Sequence, residues 1–349
     1  MDNTNNSSST TAPAEETSSI SLTDNKGITL SSPFINHPDT VRSIMADVLI
    51  ATAPSVVWGI YAFGARAAVI IISSILFSVA FEAAYELLFH RRITISDCSA
   101  AVTGLLFSLT LPVSAPLWVV PLGTFFAIVV SKQLFGGLGR NIINPALAAR
   151  VFLSIIAPAS MRVYPKPHQH LPAFSINVSA KVAKSPLAAL AAGELPEESV
   201  YSMLVGEVAG AIGGVSALLL AAGFIYMLIR RTVSWHIPVT YLATVAVIAL
   251  SFPKNESSVL FTEYEILSGG LVLIAIFMAT DVVTTPLTSI GKIIFGAGCG
   301  ALTMLLRYYG AYEEGAACAV LIMNLLVYII DRLTMPSIFG GKKGAHWRE

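Results

Sequence analysis

The stretch of sequence that decides the fold is Phe135-Gly136-Gly137-Leu138-Gly139-Arg140-Asn141-Ile142-Ile143-Asn144-Pro145-Ala146-Leu147-Ala148-Ala149-Arg150-Val151-Phe152-Leu153. It lies between apolar segments and combines three glycines, two asparagines, a proline and two arginines. Backbone this irregular, next to charged side chains, is tolerated at membrane depth only where protein or a polar cavity covers it. The stretch therefore predicts an interior site in a membrane protein.

The composition of the whole chain agrees with this interpretation. Of 349 residues, 55% are hydrophobic and 12% are charged, whereas soluble domains average about 25% charged residues. The formal net charge is zero, so no basic surface indicates nucleic acid as a partner. The three cysteines lie far apart in apolar segments without a CxxC pair, which argues against a metal or iron–sulfur site built by this chain. The sequence therefore predicts an all-α integral membrane protein.

The first 31 residues have a different character. They are rich in Ser, Thr and Asn and contain almost no large apolar residues, a composition typical of disorder. No basic region followed by an apolar core is present, so we expect a disordered tail rather than a signal peptide.

Apolar segments long enough to enter a membrane follow this tail, since a span needs about 20 apolar residues. Ten are predicted, at 44–63, 66–89, 98–111, 115–134, 142–158, 204–229, 237–252, 265–280, 291–309 and 315–331. The third is too short to cross as a straight helix, and the eighth ends in Ala279-Thr280-Asp281. Short or interrupted spans at corresponding places in two halves indicate a binding site near the midplane. Five spans per half require the second half to be inverted.

The distribution of Lys and Arg predicts the orientation, because short cytoplasmic loops carry an excess of both. With the N-terminus in the cytoplasm, the short outside loops hold only Arg66 and Lys254. The inside loops and C-terminal tail then hold Arg91, Arg92, Lys132, Arg140, Arg230, Arg231, Lys292, Arg332, Lys342, Lys343 and Arg348. We therefore expect both termini in the cytoplasm and the long loop 159–201 outside.

Several of these stretches resemble one known family. They are the opening stretch, Thr94-Ile95-Ser96-Asp97 with the following Ser99-Ala100 and Val102-Thr103-Gly104-Leu105-Leu106, and Phe277-Met278-Ala279-Thr280-Asp281 with Val283-Thr284. Together they resemble the RnfD/NqrB family of integral subunits of the Rnf complex (ferredoxin:NAD+ oxidoreductase) and of the sodium-pumping NADH:quinone oxidoreductase. The resemblance runs from about Ser32 to Gly340 and is closer to the RnfD branch.

The resemblance implies a fold and a role. The fold would have ten transmembrane helices in two inverted five-helix repeats, similar to urea transporters. The segments would be a cytoplasmic tail at 1–31, repeats at 32–158 and 202–340, an extracytoplasmic loop at 159–201 with a flavin-attachment-like segment, and a cytoplasmic tail at 341–349. The role would be electron transfer across a prokaryotic plasma membrane, coupled to Na+ or H+ export. Partners would be the A, B, C, E and G subunits of the Rnf complex, membrane lipid, and ferredoxin and NAD through those subunits.

The resemblance also implies an FMN on the outer side of the membrane. The family attaches its flavin by a phosphoester to Thr in a motif like Asp-x-x-Ser-Gly-Ala-Thr-Pro-Leu-Ala. The matching segment is Ser179-Ala180-Lys181-Val182-Ala183-Lys184-Ser185-Pro186-Leu187-Ala188, in which Ser185 takes the acceptor position. The hydroxyl is kept, but the Asp and the Ser-Gly-Ala of the motif are replaced, so the recognition motif is degraded.

Alternatives for the cofactor therefore stay open. Ser185 is flavinylated, or FMN binds without a covalent link and Lys181 and Lys184 act as point charges for its phosphate, or the flavin is absent. Riboflavin is a further candidate cofactor. Without a flavin, the chain would be a channel, a carrier or a structural subunit with a urea-transporter-like fold.

Polar residues near the predicted breaks are the other site candidates. An intramembrane Arg150 is costly unless paired, so it is a candidate for two-pronged contact with a flavin, or else a structural pair. Asn144 satisfies broken backbone, or binds cofactor or a hard cation, or caps the helix that opens at Pro145. Ser99 and Thr103 face the same predicted interior. A family Glu in the sixth helix is absent from Ile212-Gly213-Gly214-Val215-Ser216, so ion passage would need another group.

Carboxylates and hydroxyls at the two short segments form the predicted ion pathway. Asp281, Thr280 and Thr284 offer oxygen ligands for Na+ or a proton relay, and Asp97 lies at the other break; helix capping is the alternative. The glycines at 136, 137 and 139 follow no soluble strand and do not predict nicotinamide binding. With no Ser-His-Asp set and no metal constellation in the sequence, we expect an electron relay that is not catalytic alone.

Overall fold

The structure is a computed structural model that describes residues 40–91, 93–169, 171–174, 182–183, 185–214, 216–310 and 315–336. The predicted tails at 1–31 and 341–349 lie outside the described residues, and so does Lys184. The helices of the first half are α1 (Val41–Phe63), α2 (Ala65–Leu88), α3 (Ser99–Leu109), α4 (Val119–Phe125) with a π-helical continuation (Phe126–Gln133), α5 (Pro145–Ile156) and α6 (Pro158–Met161).

A short connecting region precedes the helices of the second half. Strands β1 (Tyr164–Pro165) and β2 (Val182–Ala183) pair antiparallel, with Tyr164 opposite Ala183. The helices that follow are α7 (Pro186–Ala191), α8 (Val200–Val205), α9 (Ala217–Ile229), α10 (His236–Ser251), α11 (Ser258–Leu267), α12 (Leu271–Leu273) with a π-helical continuation (Ile274–Met278), α13 (Ser289–Tyr309) and α14 (Gly315–Thr334).

The length and apolarity of these helices fit a membrane protein. Within the described ranges, four helices are long and apolar enough to cross a membrane, namely α1, α2, α13 and α14. A fifth span is formed if α11 and the α12–π unit count as one, bent by 61°. Five shorter apolar helices are α3, α4 with its continuation, α5, α9 and α10. Each of the ten predicted segments contains at least part of one of these apolar helices.

Close helix packing depends on small residues. A Cβ at Gly104 in α3 would lie 2.5 Å from Ser78 Oγ and 2.7 Å from the Ser74 carbonyl of α2. The missing side chain lets the two backbones approach closely, as small residues do between membrane helices. Ser74 Oγ then donates to the Gly104 carbonyl at 2.6 Å. The α2–α3 pair is thereby fixed next to the breaks that surround the candidate sites.

The structure differs from the sequence prediction at the segment 204–229. Instead of one helix, α8 ends at Val205, and an irregular glycine-rich segment precedes α9. Gly206 has φ of +102°, which terminates α8. The irregular backbone pairs with the end of α3, where Ile212 N donates to the Leu111 carbonyl at 3.0 Å and Gly213 N to the Leu109 carbonyl at 2.9 Å. These long-range bonds replace the helical bonds that the prediction assumed.

A second difference is at 265–280. The helical segment starts earlier, at Ser258, and is interrupted at Ser268-Gly269-Gly270, where both glycines have positive φ. The α12–π unit that follows ends at Met278, two residues before the predicted end at Thr280.

Two basic residues that were assigned to loops are buried. Arg66 is 0% exposed and donates to the carbonyls of Val113 and Ala115, each at 2.8 Å. Lys132 is 1% exposed and lies in the first π-helical segment. Neither side chain is a solvated loop charge, so neither belongs in the charge comparison that gave the predicted orientation.

Candidate functional site

The first candidate site is a cavity between the two halves, here called the Arg150 cavity. It encloses about 710 Å³ of empty space up to its mouth. Its lining includes Arg150, Tyr164, Ser185, Ser268, Gly269 and Gly270. The structure thus brings together Arg150 and Ser185, two candidates that are 35 positions apart in the sequence.

Arg150 is held in place by its neighbours on the cavity wall. It lies in α5 and is 4% exposed. Its guanidinium donates to Tyr164 Oη at 3.0 Å and contacts Met161 Sδ at 2.9 Å. These two contacts orient the guanidinium on the wall, where it can meet an anionic or carbonyl-bearing ligand that enters the cavity.

Ser185 also lines the cavity, at the start of α7. Its Oγ accepts from Ala188 N at 3.1 Å, so it is the N-cap of that helix, followed by Pro186 at the first helical position. The side chain is half-buried and lines the cavity. The Ser185 hydroxyl therefore caps α7 and also belongs to a residue that lines the cavity. The flanking Lys181 and Lys184 lie outside the described residues.

The break in the α11–α12 span forms a third wall of the Arg150 cavity. Arg307 of α13, 5% exposed, donates to the carbonyls of Glu265 and Ser268 at 2.6 and 2.9 Å. It also forms an ion pair with the Glu265 carboxylate, which is 3% exposed. The guanidinium therefore bonds to carbonyls at the interrupted helix end and fixes the backbone that leads to Gly269 and Gly270.

These residues fit a flavin. A Cβ at Gly270 would meet nothing within 4 Å, so the backbone there faces open space in the cavity wall. Glycine walls accommodate a flat ring, and a buried guanidinium with a nearby hydroxyl suits phosphate or ring carbonyls. When bound, a flavin supplies one- and two-electron redox chemistry. Arg150, Ser185 and the Gly269–Gly270 backbone would hold it.

The second candidate site is the Asp281 cavity, with about 720 Å³ of empty space up to its mouth. Its polar lining residues are Ser99, Thr103, Lys132, Asn141, Asn144, Thr232, Thr280 and Asp281. Three candidates for cofactor contact, Ser99, Thr103 and Asn144, therefore lie beside the ion-pathway candidates Thr280 and Asp281. They are not in the cavity that contains Arg150 and Ser185.

Asp281 lies in the turn after the second π-helical segment. Thr284 donates to its Oδ2 at 3.2 Å, and Thr285 donates to its backbone carbonyl at 2.9 Å. Burial raises the pKa of the Asp281 carboxyl; the hydrogen bond from Thr284 and the charge of Lys132 offset part of this effect. Thr280 donates its hydroxyl to the Ile276 carbonyl. The turn is therefore a polar end to the π-helical segment.

Asn144 joins the two halves at this cavity. Its Oδ1 accepts from Ala146 N at 3.0 Å and Leu147 N at 3.3 Å, which caps α5, while Nδ2 donates to the Met278 carbonyl at 3.0 Å. Asn324 of α14, in the amide orientation that satisfies its neighbours, accepts from Asn144 N and donates to the Thr284 carbonyl, both at 3.1 Å. Asn144 thus caps α5, as one of the predicted alternatives has it, and also forms a long-range bond to Met278.

A buried charge pair that was not predicted from the sequence lies beside the same cavity. Lys132 Nζ is 2.6 Å from Glu82 Oε1 and 2.6 Å from Ser99 Oγ, and Gln133 Nε2 donates to the same Glu82 oxygen at 2.9 Å. Ser99 donates its hydroxyl to Asp97 Oδ1 at 2.6 Å. A signal was available, because Glu82 lies inside the apolar segment 66–89, and an intramembrane carboxylate is a functional candidate by default.

The chain matches known membrane subunits along most of its length. The model of the NQR2, RnfD, RnfE family matches residues 28–340. The D subunit of the Na+-translocating ferredoxin:NAD+ oxidoreductase complex of Acetobacterium woodii is 39% identical over 316 residues, covering 90% of this chain and 95% of the relative. The D subunit of the proton-translocating ferredoxin:NAD+ oxidoreductase complex of Clostridium ljungdahlii is 37% identical over 325 residues, covering 90% and 96%.

A third relative extends the comparison beyond these two organisms. The D subunit of the ion-translocating oxidoreductase complex of Stutzerimonas stutzeri is 37% identical over 330 residues, covering 86% of this chain and 92% of the relative. Because the family model spans most of the chain and the relatives align along nearly their full length, this chain belongs to the NQR2, RnfD, RnfE family.

Proposed function

We propose that this chain is the membrane D subunit of an ion-translocating ferredoxin:NAD+ oxidoreductase (Rnf) complex. Family membership along the chain and the names of the relatives support this role. The observation that carries the redox part is the Arg150 cavity, where a buried guanidinium, a hydroxyl and a glycine-lined wall meet. The chain relays electrons within the complex and is not catalytic alone.

The cofactor of the proposal is FMN in the Arg150 cavity, with riboflavin as the variant that lacks the phosphate. Arg150 binds the flavin by charge-assisted hydrogen bonds, and Ser185 is the attachment point or a hydrogen-bonding partner. Tyr164 and Met161 hold the guanidinium in position. The covalent link is the open part of this proposal, because the Ser185 hydroxyl is also a helix cap.

The ion pathway of the proposal runs past the Asp281 cavity. Asp281, Thr280 and Thr284 cluster in one turn, and Asp97 lies across Ser99 from the same cavity. Ser99, Thr103 and Asn144 line this cavity, so we assign them to its polar wall rather than to direct contact with the flavin.

The architecture of the proposal is a ten-helix membrane domain with two inverted five-helix repeats at 32–158 and 202–340, similar to urea transporters. The apolar helices and the broken α11–α12 span support it. Both termini face the cytoplasm of a prokaryotic cell, and the loop 159–201 faces outside. Partners are the A, B, C, E and G subunits and membrane lipid, with ferredoxin and NAD reached through those subunits.

The test is flavin fluorescence of the purified protein on a denaturing gel, together with intact mass, for wild type and Ser185→Ala. Ser199→Ala is the matched control, because Ser199 caps α8, a helix as short as α7, through a bond to Ser202 N at 3.2 Å. Each variant loses one cap, worth about 1 kcal/mol. We expect a fluorescent wild-type band that Ser185→Ala loses and Ser199→Ala keeps.

Other outcomes separate the alternatives. A dark band from which native protein still releases flavin would establish a non-covalent cofactor and leave the electron relay in place. A dark band with no released flavin from the intact complex would overturn the redox role. The remaining hypothesis would then be a flavin-free transporter, channel or structural subunit.

A further inference from the structure

A chain of hydrogen-bonded side chains connects the Asp281 cavity with the protein surface. Ser99 and Lys132 line the cavity. Asp97 and Gln133 line a separate surface cleft, which also contains Glu86, Arg91 and Thr94. The side chains of Lys132, Ser99 and Asp97 therefore lie between the Asp281 cavity and the surface cleft and separate the two.

The links across this partition are short and continuous. Lys132 Nζ donates to Ser99 Oγ at 2.6 Å, and Ser99 Oγ donates to Asp97 Oδ1 at 2.6 Å. Ser99 therefore accepts one bond and donates another through the same oxygen. A hydroxyl in this state is the element that a proton wire needs, because it passes one proton on as it takes another.

Burial argues that the charges here have a function beyond stability. Lys132 is 1% exposed, Glu82 0% and Ser99 3%. Glu82 Oε2 has no hydrogen-bond partner among the described residues. Buried ion pairs are often no more stabilising than apolar residues of similar volume, and an incompletely satisfied pair is less so. Ionisable groups at membrane depth mark ion pathways and proton relays.

We infer that Lys132, Ser99 and Asp97 form a proton-transfer wire between the Asp281 cavity and the surface cleft. Glu82, on the other side of the ammonium, is a positioning residue that keeps Nζ in line with Ser99. The charged groups that face the wire are Glu82 from α2, Asp281 from the turn after the second π-helical segment, and Glu86 and Arg91 in the cleft.

The transfer balances without a co-reactant. One N–H bond of the Lys132 ammonium breaks as an O–H bond forms on Ser99 Oγ, and the original Ser99 O–H bond breaks as an O–H bond forms on Asp97 Oδ1. Lys132 becomes a neutral amine and Asp97 a neutral acid. Asp97 then releases its proton into the cleft, and the Ser99 hydroxyl rotates so that it again donates to Asp97. A proton from the Asp281 cavity recharges Lys132, which restores the starting state.

A wire of this kind carries protons. A proton crosses by exchange of bonds with little movement of heavy atoms, whereas a metal cation would need an open path past the hydrogen-bonded side chains of Lys132, Ser99 and Asp97. The two related subunits with named ions belong to one Na+-translocating and one proton-translocating complex. For this chain, the wire identifies protons as the ions that move between the surface cleft and the Asp281 cavity. The inference rests on the proposed ion-translocating role.

The functional test uses the assembled complex in vesicles, with electron-driven pH change followed by an indicator dye. The variants are Ser99→Ala, Ser99→Thr and Ser108→Ala. Ser108 is the matched control, because it lies on the same helix, is 0% exposed and donates only to the Leu105 carbonyl, at 2.7 Å. Positioned proton transfer contributes about 100- to 10,000-fold to a rate, so Ser99→Ala should slow pumping at least about tenfold.

Ser99→Thr keeps the hydroxyl and should pump within about twofold of wild type, as should Ser108→Ala. Asp97→Asn keeps an acceptor for Ser99 N but has no acidic proton. It should slow pumping, and added formate, a small weak acid that reaches the cleft, should restore it. A structural role for Asp97 would not respond to formate. Pumping by Ser99→Ala equal to that of Ser108→Ala, or no rescue of Asp97→Asn, would overturn the wire.

A second readout needs no electron transfer. In the isolated full-length chain, the infrared carboxylic acid band of Asp97 is assigned by its loss in Asp97→Asn. The frequency of this band should shift in Ser99→Ala, because the hydrogen bond from Ser99 is lost, and should match wild type in Ser108→Ala. An unchanged frequency in Ser99→Ala overturns the wire. A shifted frequency in a complex that does not pump supports the wire and instead contradicts the proposed function.

Discussion

The Asn144 side chain donates to the Met278 carbonyl at 3.0 Å, across 134 positions of sequence. The same side chain caps α5, and its backbone N–H donates to Asn324 of α14. Two amide side chains therefore join the start of α5, in the first half of the chain, to the end of the second π-helical segment and the turn that follows it. Asn144 also forms part of the wall of the Asp281 cavity.

Substitution of Asn144 should separate its two roles. Asn144→Ala loses the cap, at about 1 kcal/mol, and leaves the buried Met278 carbonyl unsatisfied, at about 1–3 kcal/mol. Asn144→Ser keeps a capping oxygen but is too short to reach Met278, so it should lose only the second contribution. Thermal unfolding in detergent ranks the loss of stability in these variants. The exposed cap variant Ser199→Ala should be the mildest, and an Asn144→Ser variant as stable as Ser199→Ala would contradict the role of the long-range bond.

The Arg307–Glu265 pair gives a second prediction for stability. Loss of one partner of a buried pair costs about 3–5 kcal/mol. Arg307→Met should destabilise more than Glu265→Gln, because it also removes the bonds to the Glu265 and Ser268 carbonyls. Arg230→Met is the control. Arg230 pairs with the buried Asp47, but its own side chain is 47% exposed, and Tyr226 and Thr232 still donate to that carboxylate, so a smaller loss is expected. Thermal unfolding in detergent gives the comparison, and equal losses for Arg307→Met and Glu265→Gln would show that the carbonyl bonds contribute little.

Local signals in the sequence were sufficient for most helix limits. The Asn144-Pro145 and Ser185-Pro186 pairs start α5 and α7 as capping chemistry requires. The segment 204–229 was misassigned because its apolar residues continue through the glycines at 206–214. The structure of that segment depends on bonds to Leu109 and Leu111, about 100 positions earlier, and no local pattern reports such bonds.

Single candidate residues could be predicted from the sequence, but which of them share a cavity could not. Arg150 is a candidate because charge is rare at membrane depth, and Asp281 is one because it follows a short, interrupted apolar segment. The count of Lys and Arg near the ends of segments places Lys132 in a loop. Such a count cannot reveal that its partner is Glu82, 50 positions away in α2. The separation of Asn144, Ser99 and Thr103 from the Arg150 cavity likewise follows from tertiary packing between the two halves.

Arg150 should govern flavin retention under the proposed function. Arg150→Lys keeps a charge but cannot bond to Tyr164 and Met161 while also presenting a planar fork to the ligand. In the Ser185→Ala background, where no ester tethers the flavin, we expect at least a tenfold loss of flavin affinity, about 1.4 kcal/mol, measured by flavin release from the purified complex. Arg230→Lys, at the distant Asp47 pair, should retain the wild-type affinity. Unchanged affinity in Arg150→Lys would exclude Arg150 from direct flavin contact.

Gly270 offers the sharpest test of the cavity wall. It has φ of +66°, and an added Cβ would meet nothing within 4 Å, so Gly270→Ala should fold while its methyl group occupies cavity space. Gly139→Ala is a matched control, because Gly139 has φ of +89° with nothing within 4 Å and does not line this cavity. Each variant carries a similar backbone cost, about 1–2 kcal/mol. In the Ser185→Ala background, Gly270→Ala should therefore lose flavin in the release assay at a stability where Gly139→Ala keeps it. Equal flavin retention in the two variants would show that the flavin does not lie against this wall.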